Sequence, residues 1–516
     1  MVTVLETTKL FHKFLSLKKI DYSSTTTLGA LKKSGYVSRS IKQEMRENLI
    51  EKIQKKERVF EGIIGYDTTV IPDVQRALLS KHNMILLGLR GQAKTRLARM
   101  MTNLLDEYVP VIEGNALNDD PLDPISVEGI ELIKEMGDET PVAWWHRSDR
   151  YSEKLATPDV SVADLIGDVD PIKAANLRLS YSDERVIHFG IIPRSHRSIF
   201  VINELPDLQA RIQVSLFNIL QEGDIQIRGF KLRLPLDIQF VFTANPEDYT
   251  NRGSIVTPLK DRIESQILTH YPKTVAESME ITRQEAKQTK GQFEKIAINE
   301  VTELLLENVA FEARESEFVD RNSGVSARLT ITARENLVSA AELRCLNSGE
   351  KKTHVRLCDL WGIVPAITGK IELVYEGEQE GPLHVAHNLI NKSIRVVFAE
   401  HFPDPSQFKK QKIESPYQPV IDWFAQNETF DLPNGLSNKE YGAALKSIPH
   451  LAKLVSTYQP QAKGEEQLFL MEFLLHGLAE YSMLGKEVVV DGFGFKDLFN
   501  MFNPLANLGG DQDFEE

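Results

Sequence analysis

Cysteine is nearly absent: the 516 residues hold two, Cys345 and Cys358. Each sits in a stretch of helical pattern, without a CxxC or Cys/His partner at metal-ligand spacing. That excludes a disulfide scaffold or a zinc module and leaves both as reduced packing residues. Long apolar runs are lacking as well. The opening MVTVLETTKLFHKFLSLKKI is broken by charge throughout, and no later run approaches membrane-spanning length. The chain is therefore expected in the cytoplasm, away from any membrane. An excess of positive charge is also missing, because 60 Lys and Arg stand against 74 Asp and Glu, a formal net charge of −14. Nucleic-acid affinity comes from cations that neutralise phosphates, so a protein is the expected partner and nucleic acid is not. The 12 histidines form no metal-spaced cluster, and no internal repeat stands out.

What is present is ordinary globular composition, 42% hydrophobic and 26% charged, over a length too great for one core. SIKQEMRENLIEKIQKKER at 40–58 reads as a charged amphipathic helix leading into FEGIIGYDTTV. From Met84 onward, short apolar strands alternate with longer helical patterns, the signature of a parallel sheet covered on both faces. The expected fold is an α/β, three-layer αβα core. Residues 273–375 turn to helical runs such as ITARENLVSAAELRCL. After GEQEG a further helix is expected from Ala386, Leu389, Ile390, Ile394, Val397 and Phe398, ended by Pro403 and Pro405. SPYQP reads as a linker. EEQLFLMEFLLHGLAEYSML is apolar nearly all round up to Gly485, so it is expected to be buried, on this chain's own helices or on a partner. The resulting division is an N-terminal helical segment at 1–58, the α/β core at 59–272, a helical lid at 273–375 and a C-terminal helical extension with an acidic tail at 376–516. Trp144 and Trp145 read as strand packing.

Three strand ends carry the chemistry. MILL runs into GLRGQAKT, which sets Gly88, Gly91, Ala93, Lys94 and Thr95 at a turn from strand to helix. In that context glycines let backbone N–H groups face phosphate oxygens, the helix amino terminus adds its dipole, Lys94 reaches the outer phosphates and Thr95 ligates Mg²⁺. Ala93 replaces the motif's usual last glycine; the position is expected to enter the helix with negative φ, where a methyl group is harmless. A second strand, SIFVI, ends at Asn203-Glu204, where such a site needs a Mg²⁺-organising acceptor and a group that polarises water. Glu204 is the candidate base. Asn203 keeps an oxygen acceptor but lacks the negative charge that helps hold Mg²⁺, with Asp207 one turn on as a possible compensating carboxylate. The third strand, IQFVFTAN, ends at Asn245 before Pro246, where an amide can orient the attacking water.

Taken in order, these strand ends resemble Walker A, Walker B and sensor 1 of an AAA+ ATPase. VPVIEGNALNDDPLDP, ATPDVSVADLIGDVDPIKA and HFGIIPRSHRSIFVINELPDL resemble the corresponding text of magnesium chelatase ATPase subunits and the related MoxR group. LFNILQEGDIQIRGFKLRLPLDIQ reads as a β-hairpin around Arg228-Gly229, and with the insert before Walker B it is similar to the same subgroup. TPLKDRIESQI maps the family's arginine finger to Arg262, with Ile263 in place of the usual phenylalanine, and SARLTITARENL maps its sensor 2 arginine to Arg328. The resemblance implies Arg90, Gln92, Ile64 and Gly65 as further nucleotide contacts, ATP and Mg²⁺ as cofactors, and a homo-oligomeric, hexameric ring. It also implies remodelling of a separate partner with a von Willebrand factor A domain, since DVSVA at Asp159 fails that domain's DxSxS motif. Three other readings stay open: a true chelatase subunit driving Mg²⁺ into a porphyrin, an enhancer-binding transcription activator, and a slow or non-hydrolysing nucleotide-gated scaffold. The activators' Gly-Ala-Phe-Thr-Gly-Ala loop is absent.

Overall fold

The computed structural model describes residues 21–180, 183–227, 233–246, 254–411, 413–427, 429–489 and 492–498. It divides into two compact units, Met1–His270 and Tyr271–Glu516. The first is built on five strands, β1 (Met84–Leu87), β2 (Tyr151–Leu155), β3 (Ser198–Asn203), β4 (Ile238–Ala244) and β5 (Ser265–Leu268), in the order β5-β1-β4-β3-β2. All four pairings are parallel.

The continuous apolar runs of β1, β3 and β4 follow from burial on both faces. Met84, Leu86, Ile199, Val201 and Val241 point to one side, where they meet Ile41, Met45 and Leu49 and, from α1 (Lys94–Met100), the helix after β1, Leu97 and Ala98. Ile85, Phe200, Ile202, Phe240 and Phe242 point to the other, against Leu205, Leu208, Ile212, Leu216 and Leu259. A period of two therefore distributes one run over two cores. This is the expected αβα sandwich.

The helix Ile41–Gln54, capped by Ser40, is one of the covering layers. Its charge conceals a buried ion pair. Arg150, 1% exposed, forks onto both oxygens of Glu44 at 2.7 Å, and its Nε donates to Arg197 O at 3.0 Å. Glu44 also accepts the Asp106 backbone N–H at 2.7 Å. A bidentate guanidinium with a second acceptor is the geometry that makes such burial tolerable. Trp144 and Trp145 lie on a strand, Val142–His146, that pairs antiparallel with Tyr108–Ile112; the Trp144 indole N–H donates to Thr25 O. Before β3, Gly167–Val169 and Ile187–Phe189 form a small antiparallel pair. Before β4, Asp224–Gln226 pairs with Arg233–Pro235 as the expected hairpin; its tip, Arg228-Gly229, lies outside the described residues, as do the N-terminal 20 residues and the acidic tail.

In the second unit one apolar cluster runs from Ile296 to Phe495. It unites α2 (Glu300–Glu315), α3 (Arg328–Asn347), α4 (Pro382–His401) and α5 (Glu465–Glu480). The six apolar residues expected to face inward from α4 are all buried. α5 packs on α4 and on the helix Leu451–Tyr458, so its all-round apolar surface is covered by this chain. It stops at Glu480, and Gly485 instead opens a strand of a three-stranded antiparallel sheet, Phe430–Pro433, Gly485–Val489 and Gly492–Lys496. SPYQP is not a free linker, because Tyr417 is fully buried and donates its hydroxyl to Pro403 O at 2.6 Å. Both cysteines are free thiols, and burial pushes each thiol pKa up.

Removing one partner of the Glu44–Arg150 pair leaves a buried charge uncompensated. Arg150→Ala is expected to lower unfolding stability by about 3–5 kcal/mol, read from denaturant titration. A loss below about 1 kcal/mol would mean that water reaches the pair as it does a surface pair.

Candidate functional site

The loop after β1 leads directly into α1 (Lys94–Met100). Its shape depends on glycine at two points. A Cβ on Gly88 would stand 2.0 Å from Thr269 Oγ1 and 2.2 Å from Gln92 Oε1, closer than any real contact. Gly91 turns with φ +75°. The Thr269 hydroxyl donates to Gln92 Oε1 at 2.7 Å, and Tyr66 donates to Gln92 O at 3.0 Å and to His270 O at 2.8 Å. These bonds fix the loop from β5 and from the segment holding Ile64 and Gly65, which immediately precede Tyr66. Arg90 is exposed at the loop's crest.

Ala93 corrects the expectation made for it. Its φ is +55° and its ψ +18°, in the left-handed region and not in the helical one. For a residue with a Cβ that conformation costs roughly 1 kcal/mol, so the methyl group is tolerated against a local strain that glycine would not carry.

At the carboxyl ends of β1, β3 and β4 the polar side chains converge. Lys94, 7% exposed, has its ammonium on Gly88 O, on Leu89 O at 3.0 Å and on Asn245 Oδ1 at 2.6 Å. Asn245 in turn donates from Nδ2 to Glu204 Oε2 at 2.7 Å. One amide thus accepts from the cation and donates to the carboxylate, which neither Asp nor Leu could do at that place. Glu204 itself has φ +55°, which turns it off the strand, and its backbone N–H is received by Thr243 Oγ1 at 3.1 Å. Asn203 Oδ1 accepts from Thr243 Oγ1 at 3.2 Å and from Thr95 Oγ1 at 3.3 Å. Lys94, Thr95, Asn203, Glu204 and Asn245 are therefore one connected cluster, joined by Thr243, which the sequence reading passed over. Asp207 is the last residue of the short turn Leu205–Asp207 that follows Glu204.

Two named arginines have other surroundings. The Arg262 guanidinium donates to Gln221 Oε1 and Pro258 O and lies over the Phe217 ring. Arg328 opens α3 of the second unit, its N–H received by Ser326 Oγ. Among the described residues no group of three or more His, Cys, Asp or Glu side chains could hold a metal ion. No helix among them is long and apolar enough to cross a membrane.

A parallel sheet in the order β5-β1-β4-β3-β2, a phosphate-type loop between β1 and α1, and polar strand ends on β3 and β4 beside it make this an α/β core of the P-loop type. No family model matches the chain. Among solved structures it is similar to NtrX from Brucella abortus in complex with ADP, at 12% identity over 75% of this chain and 71% of that one, with a TM-score of 0.36. It is also similar to a point mutant of RuvB from Thermotoga maritima, at 12% identity over 74% and 96% of the two chains, TM-score 0.33. A third likeness is to a model of the complex between subunits BchI and BchD of magnesium chelatase, at 19% identity over 62% and 98%, TM-score 0.32. The fold rests on the strand order and loop geometry described above, not on these likenesses.

The strain at Ala93 is open to measurement. Ala93→Gly relieves a left-handed Cβ but frees the unfolded chain, two terms of about 1 kcal/mol that oppose each other. Its unfolding stability is expected to stay equal to the parent's or rise by up to about 1 kcal/mol. Ala98→Gly, a fully buried position inside α1, is expected to lose about 1 kcal/mol or more. If Ala93→Gly loses as much as Ala98→Gly, position 93 is helical after all.

Proposed function

We propose that this chain is an ATP-hydrolysing AAA+ motor. The observation that carries the reading is the single hydrogen-bonded cluster of Lys94, Asn245, Glu204, Asn203 and Thr95 at the edge of three adjacent strands, directly beside a glycine-shaped loop. A loop whose lysine rests on carbonyl and amide oxygens is suited to anion capture. A phosphate can take over the same ammonium donors with full negative charge, and charge-assisted hydrogen bonds are roughly twice as strong as neutral ones.

In this reading Lys94 holds the outer phosphates while the loop N–H groups hold the inner ones. Glu204, the carboxylate of the cluster, orients and polarises the attacking water. Asn245 links the Glu204 carboxylate on one side to Lys94 on the other, and so sets the distance between base and phosphate. Thr95 and Asn203 would hold Mg²⁺. Their oxygens converge through shared hydrogen bonding, which fits a hard cation carried in by the nucleotide's own phosphates better than one bound by a protein cage. When bound, that ion would neutralise charge developing on the phosphate oxygens. The neutral Asn203 motivates slow turnover.

The remaining parts of the reading extend from the resemblance. The protein assembles as a hexameric, MoxR-like ring in the cytoplasm, Arg262 completes the neighbour's site, and Arg328 is the sensor 2 arginine. Arg90, Ile64 and Gly65 border the bound nucleotide. Turnover remodels a partner protein bearing a von Willebrand factor A domain. Insertion of metal into a porphyrin is the competing output, and purified partner proteins assayed for each would separate the two.

Three variants test the core of the proposal. Lys94→Ala is expected to weaken ATP binding by about 100-fold or more, the equivalent of about 3 kcal/mol, measured by calorimetry. Glu204→Gln should bind ATP as the parent does but release no phosphate. Asn203→Asp should raise the rate and lower the Mg²⁺ concentration at half-maximal activity, because a carboxylate receives a metal-bound water more strongly than an amide does. Parental ATP affinity in Lys94→Ala would end the assignment of the site.

A further inference from the structure

Arg262 is the last residue of a short helix, Thr257–Arg262, and three contacts define where its guanidinium points. Nε donates to Gln221 Oε1 at 3.0 Å, Nη1 donates to Pro258 O at 2.8 Å, and Cζ lies 4.8 Å from the centre of the Phe217 ring. A planar fork that is stacked on one face and hydrogen-bonded along its edge has lost most of its rotamer freedom. Gln221 and Phe217 belong to one helix, Phe217–Glu222.

The other end of the Arg262 helix is tied to the same stretch of chain. Gln213, 1% exposed, engages three backbone groups through its amide. Nε2 donates to Leu208 O at 2.8 Å and to Ser254 O at 3.1 Å, and Oε1 accepts Val256 N–H at 2.9 Å. Leu208 closes the turn that begins at Glu204, where Asp207 N–H is received by Glu204 O at 3.0 Å and Leu208 N–H by Leu205 O at 3.1 Å. Val256 is the residue immediately before the Arg262 helix. Both ends of that helix are thus gripped by residues 204–222, the segment that starts at the candidate base.

We infer that this segment is a link through which a subunit's own phosphate site sets the aim of the arginine it offers to its neighbour, with Gln221 as the positioning residue for Arg262. The inference rests on the ring reading above. A shift of Glu204 on nucleotide binding would pass through the turn at 205–208 to Gln213, and from there to the base of the Arg262 helix. Gln221 would hold the guanidinium to that frame. Hydrolysis in one subunit then depends on occupancy in the next.

The test uses the full chain and three measurements: ATP affinity, steady-state phosphate release, and release from mixed assemblies. Gln221 is exposed, so its removal leaves the core intact. Gln221→Ala is expected to bind ATP within about twofold of the parent and to turn over roughly ten- to a hundredfold more slowly, the penalty of a misplaced catalytic group. Gln221→Glu keeps an acceptor for Nε and is expected to restore most of the rate. Mixing Gln221→Ala with Glu204→Gln should give more activity than the two measured apart, because one interface then joins an intact Glu204 to an intact Gln221–Arg262 pair. Parental turnover of Gln221→Ala beside an inactive Arg262→Ala would overturn the positioning role while leaving the ring reading in place. No gain on mixing the two single variants, where Arg262→Ala mixed with Glu204→Gln does gain, would do the same. Full activity of Arg262→Ala would overturn the ring reading and the inference with it.

Discussion

The contact on which the site depends is the hydrogen bond from the Lys94 ammonium to Asn245 Oδ1, 2.6 Å long and almost without solvent. It joins the helix after β1 to the end of β4, and the other half of the same amide reaches Glu204 at the end of β3. A buried cation needs its donors satisfied, and a carboxylate beside it needs a donor in return. A single asparagine meets both demands while keeping cation and carboxylate apart. Had the two met directly, a closed salt bridge would compete with any phosphate for Lys94. The spacing of β1, β4 and β3 as immediate neighbours makes that amide sufficient, so strand order and chemistry are one constraint.

The same constraint explains why the first unit tolerates strain. Ala93 and Glu204 both take up positive φ at φ +55°, one at the start of the phosphate-loop helix and the other at the turn off β3. Each position costs of order 1 kcal/mol, and each is over-determined by its surroundings: the helix of Lys94 on one side, the Thr243 hydroxyl on the other. Strain of this kind persists where the fold fixes a side chain's direction more firmly than the backbone would choose.

Much of this was legible in the amino-acid order because the informative features are local. A run of four apolar residues followed by GLRGQAKT, a second ending in Asn203-Glu204 and a third ending in Asn245 each place a polar group at a strand end without knowledge of any other part of the chain. What could not be read was set by distant partners. Thr243 sits inside the apolar run IQFVFTA and reads as β-propensity, yet it receives Glu204 N–H and donates to Asn203. Thr269 meets Gln92 across 177 positions, and Tyr66 meets the same residue's carbonyl across 26. Glu44 looked like one charge among many on a solvated helix face, because nothing near it in the sequence announces Arg150. The left-handed φ of Ala93 is hidden for a related reason: the residue adjoins a helix in sequence, while its neighbour Gln92 is held from afar by Thr269 and Tyr66.

Backbone hydrogen exchange, followed with and without Mg²⁺-ATP, tests the central claim most directly, because it reports which amides the nucleotide covers and does not depend on turnover or on a partner. ATP is expected to slow exchange across residues 88–95 first and most strongly, with secondary protection at Asn203-Glu204 and Asn245. Protection confined to other segments, with the loop exchanging as it does in the free protein, would contradict that claim.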